Sequence, residues 1–281
     1  MKIAIIGAGT MGQGIAQVCA QAGLDTILFD IDAAAAAQAH RATQQTWTTL
    51  GRKGKLTPEA QARAEAHLTV TTRFEDLVAD VLLEAVVERL DVKHELFRQL
   101  AAQNAPTAIL ASNTSSIPIT RIAAGVPGPE RVVGLHFFNP APLMKLVEVI
   151  AGAATAPDVV AQMVALAERL GKVPARVRDA PGFIVNRVAR PYYTESLRLL
   201  EEGVAPLETI DELLEATGFR MGAFRLMDLI GVDTNFAVTS SLFEAFHFED
   251  RFRPSRIQRQ KVDAGHWGRK TGRGFYEYPE E

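Results

Sequence analysis

The chain has 281 residues, 47% of them hydrophobic and 22% charged, with one cysteine and a formal net charge of −3. This is the composition of a globular protein, and it excludes disordered, collagen-like and disulfide-stapled classes; with Cys19 alone, a reducing, cytoplasmic setting is expected. Residues 1–181 carry 17 basic and 17 acidic side chains, which gives no expectation of a nucleic-acid partner, and no apolar run reaches the roughly 18 residues of a membrane helix.

The first residues are apolar, but glycines at Gly7, Gly9, Gly12 and Gly14 argue against a secretory leader. Short apolar runs at 3–6, 26–29, 81–87, 108–111, 132–138 and 146–150 alternate with helical patterns. Alternating strand and helix signals predict an α/β fold, and runs that are apolar at nearly every position predict strands buried on both faces. The expectation is a Rossmann-type, doubly wound, mostly parallel sheet in residues 1–181. Residues 32–72 form a long insertion read as two helices meeting near 51–57, with Thr57 and Pro58 as N-cap and first helical residue. This pair is too polar and alanine-rich to be core and is expected to project over the sheet edge, with Lys53 and Lys55 at its tip.

From residue 182 the strand signal stops, and helical patterns follow at 183–202, 207–217 and 234–246, the last behind Asp233. A second, all-helical domain over 182–281 is therefore expected. Pro191 makes the first of these segments either kinked or two helices. The stretch 251–273 holds eight basic residues against Asp263 alone, read as a solvated face or as a surface for a phosphate-rich ligand or a second subunit.

Gly7-Ala8-Gly9-Thr10-Met11-Gly12 follows the first strand and opens a helix. In that context Gly7 permits a tight turn, Gly9 lets the backbone approach a pyrophosphate, Gly12 allows close helix–strand packing, and the amides around Thr10 and Met11 face phosphate. Asp30, at the end of the second run, can accept both hydroxyls of an adenosine ribose and would repel a 2′-phosphate, so NAD is predicted over NADP.

His136 ends an apolar run where open α/β sheets place ligands, and Glu148 lies in the next run among apolar neighbours. A buried carboxylate needs a partner. If the two runs are neighbouring strands joined through 139–142, Glu148 can hold the imidazole tautomer and stabilise its protonated form, an acid/base dyad. Ser112-Asn113-Thr114-Ser115-Ser116, Glu88 and the 182–187 segment with Asn186 also fall at the crevice edge, equally readable as turn and cap residues or as ligand contacts. The six histidines show no metal-ligand spacing.

Taken together, the 7–12, 112–116, 136–140, 144–150, 181–187 and 268–276 segments resemble, in order and over essentially the whole chain, the short-chain L-3-hydroxyacyl-CoA dehydrogenase family, which includes bacterial 3-hydroxybutyryl-CoA dehydrogenases. The resemblance implies an NAD-dependent oxidation of (S)-3-hydroxyacyl-CoA, 3-hydroxybutyryl-CoA first, to the 3-oxo thioester. By it, His136 is the base, Glu148 orients it, and Ser115 and Asn186 contact substrate oxygens. It also implies that Asp30, Glu88, Lys93 and Asn113 attend the cofactor, that Lys53 and Lys55 meet the CoA portion, and that the helical domain closes over substrate and forms a homodimer. One departure stands out: after Met221-Gly222 many relatives read Pro and then an acidic residue two positions later, and this chain has Ala223 and Arg225. Arg225 is either a surface charge or the receptor of a carboxylated tail, as in 3-hydroxyadipyl-CoA. A related hydroxy-acid dehydrogenase that does not require CoA is the other alternative, because fold does not fix function.

Overall fold

The computed structural model describes residues 1–279, which divide into two compact units, one from Met1 to Ala180 and one from Pro181 onward. In the first, eight strands form one sheet: β1 (Lys2–Ile6), β2 (Asp25–Phe29), β3 (Leu68–Thr71), β4 (Val81–Glu84), β5 (Ile109–Ser112), β6 (Val132–Phe137), β7 (Leu146–Ala151) and β8 (Val173–Arg178). Their order is β3-β2-β1-β4-β5-β6-β7-β8, and every pairing is parallel except β6 with β7. Helices α1 (Thr10–Gln21), α2 (Ala33–Arg52), α3 (Pro58–Ala66), α4 (Leu90–Gln103), α5 (Ile119–Ala123) and α6 (Pro157–Arg169) connect them. Ile3, Ile5, Leu83, Val133, Leu135 and Val149 lie in one continuous core with Ile15 and Cys19 of α1 and Met163 and Leu166 of α6. Ala4, Ile6, Leu82, Leu110, Val132 and Ile150, at the alternate positions, are buried as well, so the sheet is covered on both faces as the apolar runs predicted.

The strand order reverses between β1 and β4, where the connections from β1 and β4 leave in opposite directions and open a crevice at the carboxyl ends. Three features of this unit differ from expectation. The run 81–87 is strand only to Glu84; Ala85, Val86 and Val87 leave the ladder and line the crevice. The 32–72 insertion is not wholly helical, since its last residues form β3 on the sheet edge. Nor does the α2–α3 hairpin only project, for Trp47 is fully buried with Ala20 of α1 and Ala64 of α3. The Thr57 hydroxyl does accept from the Ala60 N–H with Pro58 at the first helical position.

The second unit is helical: α7 (Val185–Glu201), α8 (Leu207–Ala216), α9 (Ala223–Ile230), α10 (Val232–Ala245) and α11 (Arg256–Asp263). Pro191 sits inside α7 without dividing it. The α10 helix begins at Val232 behind Gly231 at φ 105°, so Asp233 is inside it and pairs with Lys270 at 2.7 Å rather than capping it. Two buried aspartates hold the C-terminal segment. Asp211 accepts the Phe224 and Arg225 N–H groups and the Tyr276 hydroxyl, and Asp228 accepts the Phe275 and Tyr276 N–H groups and the Tyr278 hydroxyl. A Cβ on Gly274 would lie 2.0 Å from Asp228 Oδ1, so the glycine in this motif serves the clasp. No helix among the described residues is long and apolar enough to cross a membrane.

Candidate active site

The β1–α1 turn is built for close approach. Gly7 stands at φ 104°, where any Cβ would meet the Ala85 carbonyl at 2.6 Å, and a Cβ on Gly12 would meet the Gly7 carbonyl at 1.8 Å. Space beside Gly9 is open, and no side chain caps the first amides of α1, at Thr10, Met11 and Gly12, which suits them to an anion. Asp30 follows β2 and fastens itself to this turn, its Oδ2 accepting the Ala8 N–H at 2.8 Å and its Oδ1 the Asp32 N–H at 3.0 Å. Beside them lies a cleft of about 780 Å3 lined by Gly7, Gly9, Asp30, Ile31, Val86 and Val87 among others. Asp91 and Glu95 also line it; mostly apolar walls with the Asp30 carboxylate beside the glycine turn fit the adenosine half of a dinucleotide.

Beside the cleft is a charge cluster in which Lys93 and Glu84 are buried and Glu88 reaches the surface. Lys93, in the first turn of α4 and 1% exposed, points inward, donating to Glu84 Oε1 at 2.6 Å and lying 3.0 Å from Glu88 Oε2. Glu84, fully buried at the end of β4, also accepts the Val86 N–H and the Ser112 hydroxyl. Glu88 collects the donors of the next loop: the Thr114 and Ser116 hydroxyls and the Ser115 and Ser116 N–H groups. Burial opposes its charge, but the Lys93 ammonium and these hydroxyls outweigh that and hold the Glu88 carboxyl below its ordinary range. Lys93 is thus enclosed by these two carboxylates, and Glu88 shapes the Ser115 loop. Glu84, which unites β4, β5 and α4, was not singled out from the sequence. The signal was there, a carboxylate inside an apolar run, the same one that marked Glu148.

On the other side of β5, the register pairs His136 with Glu148 across the antiparallel β6–β7 ladder. His136 Nδ1 and Glu148 Oε2 are 2.8 Å apart, with 5% of the histidine and none of the glutamate exposed. A carboxylate at Nδ1 fixes the proton there and makes Nε2 the basic nitrogen. Asn113 Oδ1 accepts the Phe137 N–H at 2.8 Å, tying the end of β5 to the strand that carries His136. The 138–145 connection, with its cis Asn139–Pro140 bond, is held from beneath by Lys172, whose ammonium donates to the Ala141 and Met144 carbonyls at 2.6 and 2.9 Å. Burial lowers the Lys172 pKa and pushes the nearby Cys19 thiol up to about 12.

The structure therefore brings the glycine turn and Asp30 into one group, Glu88, Lys93, Asn113 and Ser115 into a second, and His136 with Glu148 into a third, all at the carboxyl edge of one sheet. Lys53 and Lys55 are exposed at the end of α2 and in the turn after it, and take part in no ion pair among the described residues. Asn186 is the second residue of α7, in the other unit. There Arg225 is already partnered: it bonds Glu215 Oε1 at 3.1 Å and lies over the Tyr276 ring, so the tail-receptor reading loses its free charge. Five of the eight basic residues in 251–273 are likewise paired, with Glu249, Asp250, Asp263, Asp233 and Glu277.

Sequence comparison gives the same picture. Residues 2–180 match the family described as 3-hydroxyacyl-CoA dehydrogenase, NAD binding domain, and residues 182–278 its C-terminal domain. A 3-hydroxyadipyl-CoA dehydrogenase of Escherichia coli is 50% identical over 281 residues, covering 99% of this chain, which spans 59% of that longer protein. A probable 3-hydroxybutyryl-CoA dehydrogenase of Deinococcus radiodurans is 41% identical over 99% of this chain and 100% of its own. The crystal structure of an (S)-3-hydroxybutyryl-CoA dehydrogenase from Ralstonia eutropha superposes with a TM-score of 0.95 at 40% identity, over 99% of each chain.

Proposed function

The chain belongs to the 3-hydroxyacyl-CoA dehydrogenase family, and from that premise we propose that it oxidises (S)-3-hydroxybutyryl-CoA reversibly with His136 as the base. The observation that carries the reading is the buried His136–Glu148 pair at the carboxyl edge of the sheet that bears the dinucleotide turn. NAD, when bound, accepts the hydride. The residues of this chain do the rest. His136 Nε2 takes the 3-hydroxyl proton, Glu148 stabilises the imidazolium that results, and Ser115 and Asn186 hold the substrate oxygens. Asp30 holds the adenosine ribose, Glu88 lies at the cofactor, Asn113 borders the nicotinamide side, and Lys53 and Lys55 meet the CoA portion. General acid–base catalysis contributes about 10²–10⁴-fold, so His136→Gln should lose that much turnover while NADH affinity persists.

The second unit would close over substrate and pair two copies of the chain. Exposed Val188, Leu213, Phe219 and Phe248 support a homodimer, and a monomeric mass in light scattering would refute it. A cytoplasmic setting is in keeping with a lone, buried thiol. A second substrate, 3-hydroxyadipyl-CoA, is favoured by the 50% identical relative of that name. The deciding assay is NADH consumption with acetoacetyl-CoA, run beside free acetoacetate and NADPH. Fast turnover that needs both CoA and NADH is expected; turnover of free acetoacetate would favour a dehydrogenase without CoA specificity.

A further inference from the structure

Arg190 sits one helical turn, about 5.4 Å, beyond Asn186 on α7, so the two side chains share a face. It is 4% exposed. The other buried charges of the molecule are answered more fully: Lys93 by two carboxylates, Lys172 by two backbone carbonyls, Asp211 and Asp228 by three donors each, and Arg131, whose Nε is also unmet, by four backbone carbonyls shared between both of its terminal nitrogens. Arg190 is answered poorly. One nitrogen, Nη1, donates to the Asn235 carbonyl and the Thr239 hydroxyl, each at 3.1 Å, and the guanidinium lies 4.7 Å from the centre of the Tyr193 ring. Its Nε is buried with no hydrogen-bond partner, and it forms no ion pair among the described residues. A second unmet donor, Asn235 Nδ2, belongs to the residue whose carbonyl Arg190 already holds.

A desolvated guanidinium without a counter-charge is costly, and its planar fork matches a carboxylate bidentately. Burial lowers its pKa only to about 10, so it stays a cation at neutral pH. In an extended six-carbon acyl chain the terminal carboxylate lies three bonds from the reacting carbon, roughly 4–5 Å away by ordinary bond lengths, close to the rise of one helical turn. We propose that Arg190 determines specificity by receiving the terminal carboxylate of a dicarboxylic 3-hydroxyacyl-CoA such as the 3-hydroxyadipyl thioester. This rests on the reading that Asn186 contacts the oxygens at the reacting carbon, and it assigns the tail to Arg190 in place of the paired Arg225.

The test compares kcat/KM for 3-hydroxyadipyl-CoA and 3-hydroxybutyryl-CoA in the full chain and in Arg190→Met, a substitution of similar volume. A charge-assisted contact predicts that the adipyl-to-butyryl ratio falls about 10–100-fold, whatever loss is common to both substrates. An unchanged ratio overturns the proposal. Wild-type enzyme active on the butyryl but not the adipyl substrate overturns it too and leaves the family reaction intact, whereas inactivity on both overturns that reaction as well. Should Arg190→Met not fold, calorimetry on the wild type compares adipyl-CoA with hexanoyl-CoA, equal in length and neutral at the end. At least tenfold tighter binding of adipyl-CoA is expected, and equal affinity refutes the assignment.

Discussion

Replacing Glu148 with Gln keeps the shape of the side chain and removes its charge from a site with no exposure. In the native pair a carboxylate oxygen stands 2.8 Å from His136 Nδ1. Hydrogen bonds to charged groups contribute about 1.5–3 kcal/mol, and that contribution is realised fully only when the imidazole has taken the substrate proton, so the loss falls on the reaction barrier. Converted to rate, it is roughly 10–150-fold in kcat. The amide has a second route to harm, because its NH2 can donate to Nδ1 and drive the ring proton to Nε2, where no proton can be accepted; a comparable wrong-tautomer change in serine proteases costs about 10⁴. The expected fall in kcat therefore lies between about 10 and 10⁴. Steady-state NADH oxidation with acetoacetyl-CoA gives kcat, and quenching of NADH fluorescence gives cofactor affinity, which should stay within about threefold since Glu148 lies outside the glycine turn and its cleft. A kcat within threefold of wild type, or NADH affinity falling in step with kcat, would refute the reasoning.

Asp30→Ser should raise the NADPH-to-NADH ratio of kcat/KM at least tenfold, read in paired assays, because it removes the charge that repels a 2′-phosphate. Gly12→Ala should abolish NADH binding in titration, since its Cβ would stand 1.8 Å from the Gly7 carbonyl and the turn would have to open. Gly274→Ala sets a methyl against Asp228 Oδ1 and should cost about 2–4 kcal/mol of unfolding free energy in urea. Against the effect of burial, the Lys93 ammonium and the Thr114 and Ser116 hydroxyls hold the Glu88 carboxyl below the ordinary glutamate value, so the native state keeps the charge after the unfolded chain has taken up a proton. Its stabilisation is complete above that value and is lost as pH falls through the lowered one. The urea midpoint of wild type should drop more steeply below about pH 5 than that of Glu88→Gln, and parallel curves would contradict the assignment.

What could be read from the sequence followed burial. Strands β1, β2, β5, β6 and β7 lie inside the sheet and announce themselves as apolar runs, while β3 and β8 lie at its edges and carry Thr69, Thr71, Pro174, Arg176 and Arg178, which face water in part and break the pattern. The run 81–87 ran past the end of its strand because residues 85–87 are apolar for a different reason, the walls of the cleft. Trp47 was hidden among polar and alanine neighbours, and α9 is only eight residues long. At the site, the glycine turn and the facing of His136 with Glu148 were readable because each depends on local chain geometry. The inward turn of Lys93 onto Glu84 and the pairing of Arg225 with Glu215 were not, because both depend on side chains brought together from separate elements.

The single antiparallel step in the sheet has a consequence for how this chemistry tolerates change. Because β6 and β7 form a hairpin, His136 and Glu148 are twelve positions apart in sequence and meet through one local ladder. Side chains alternate faces along a strand, so a slip of one residue in that ladder would carry one member of the pair to the opposite side of the sheet. Changes within the 138–145 tip are limited by its Lys172 bonds but leave the pair facing so long as the register survives, whereas moving either strand by a single step parts His136 from Glu148.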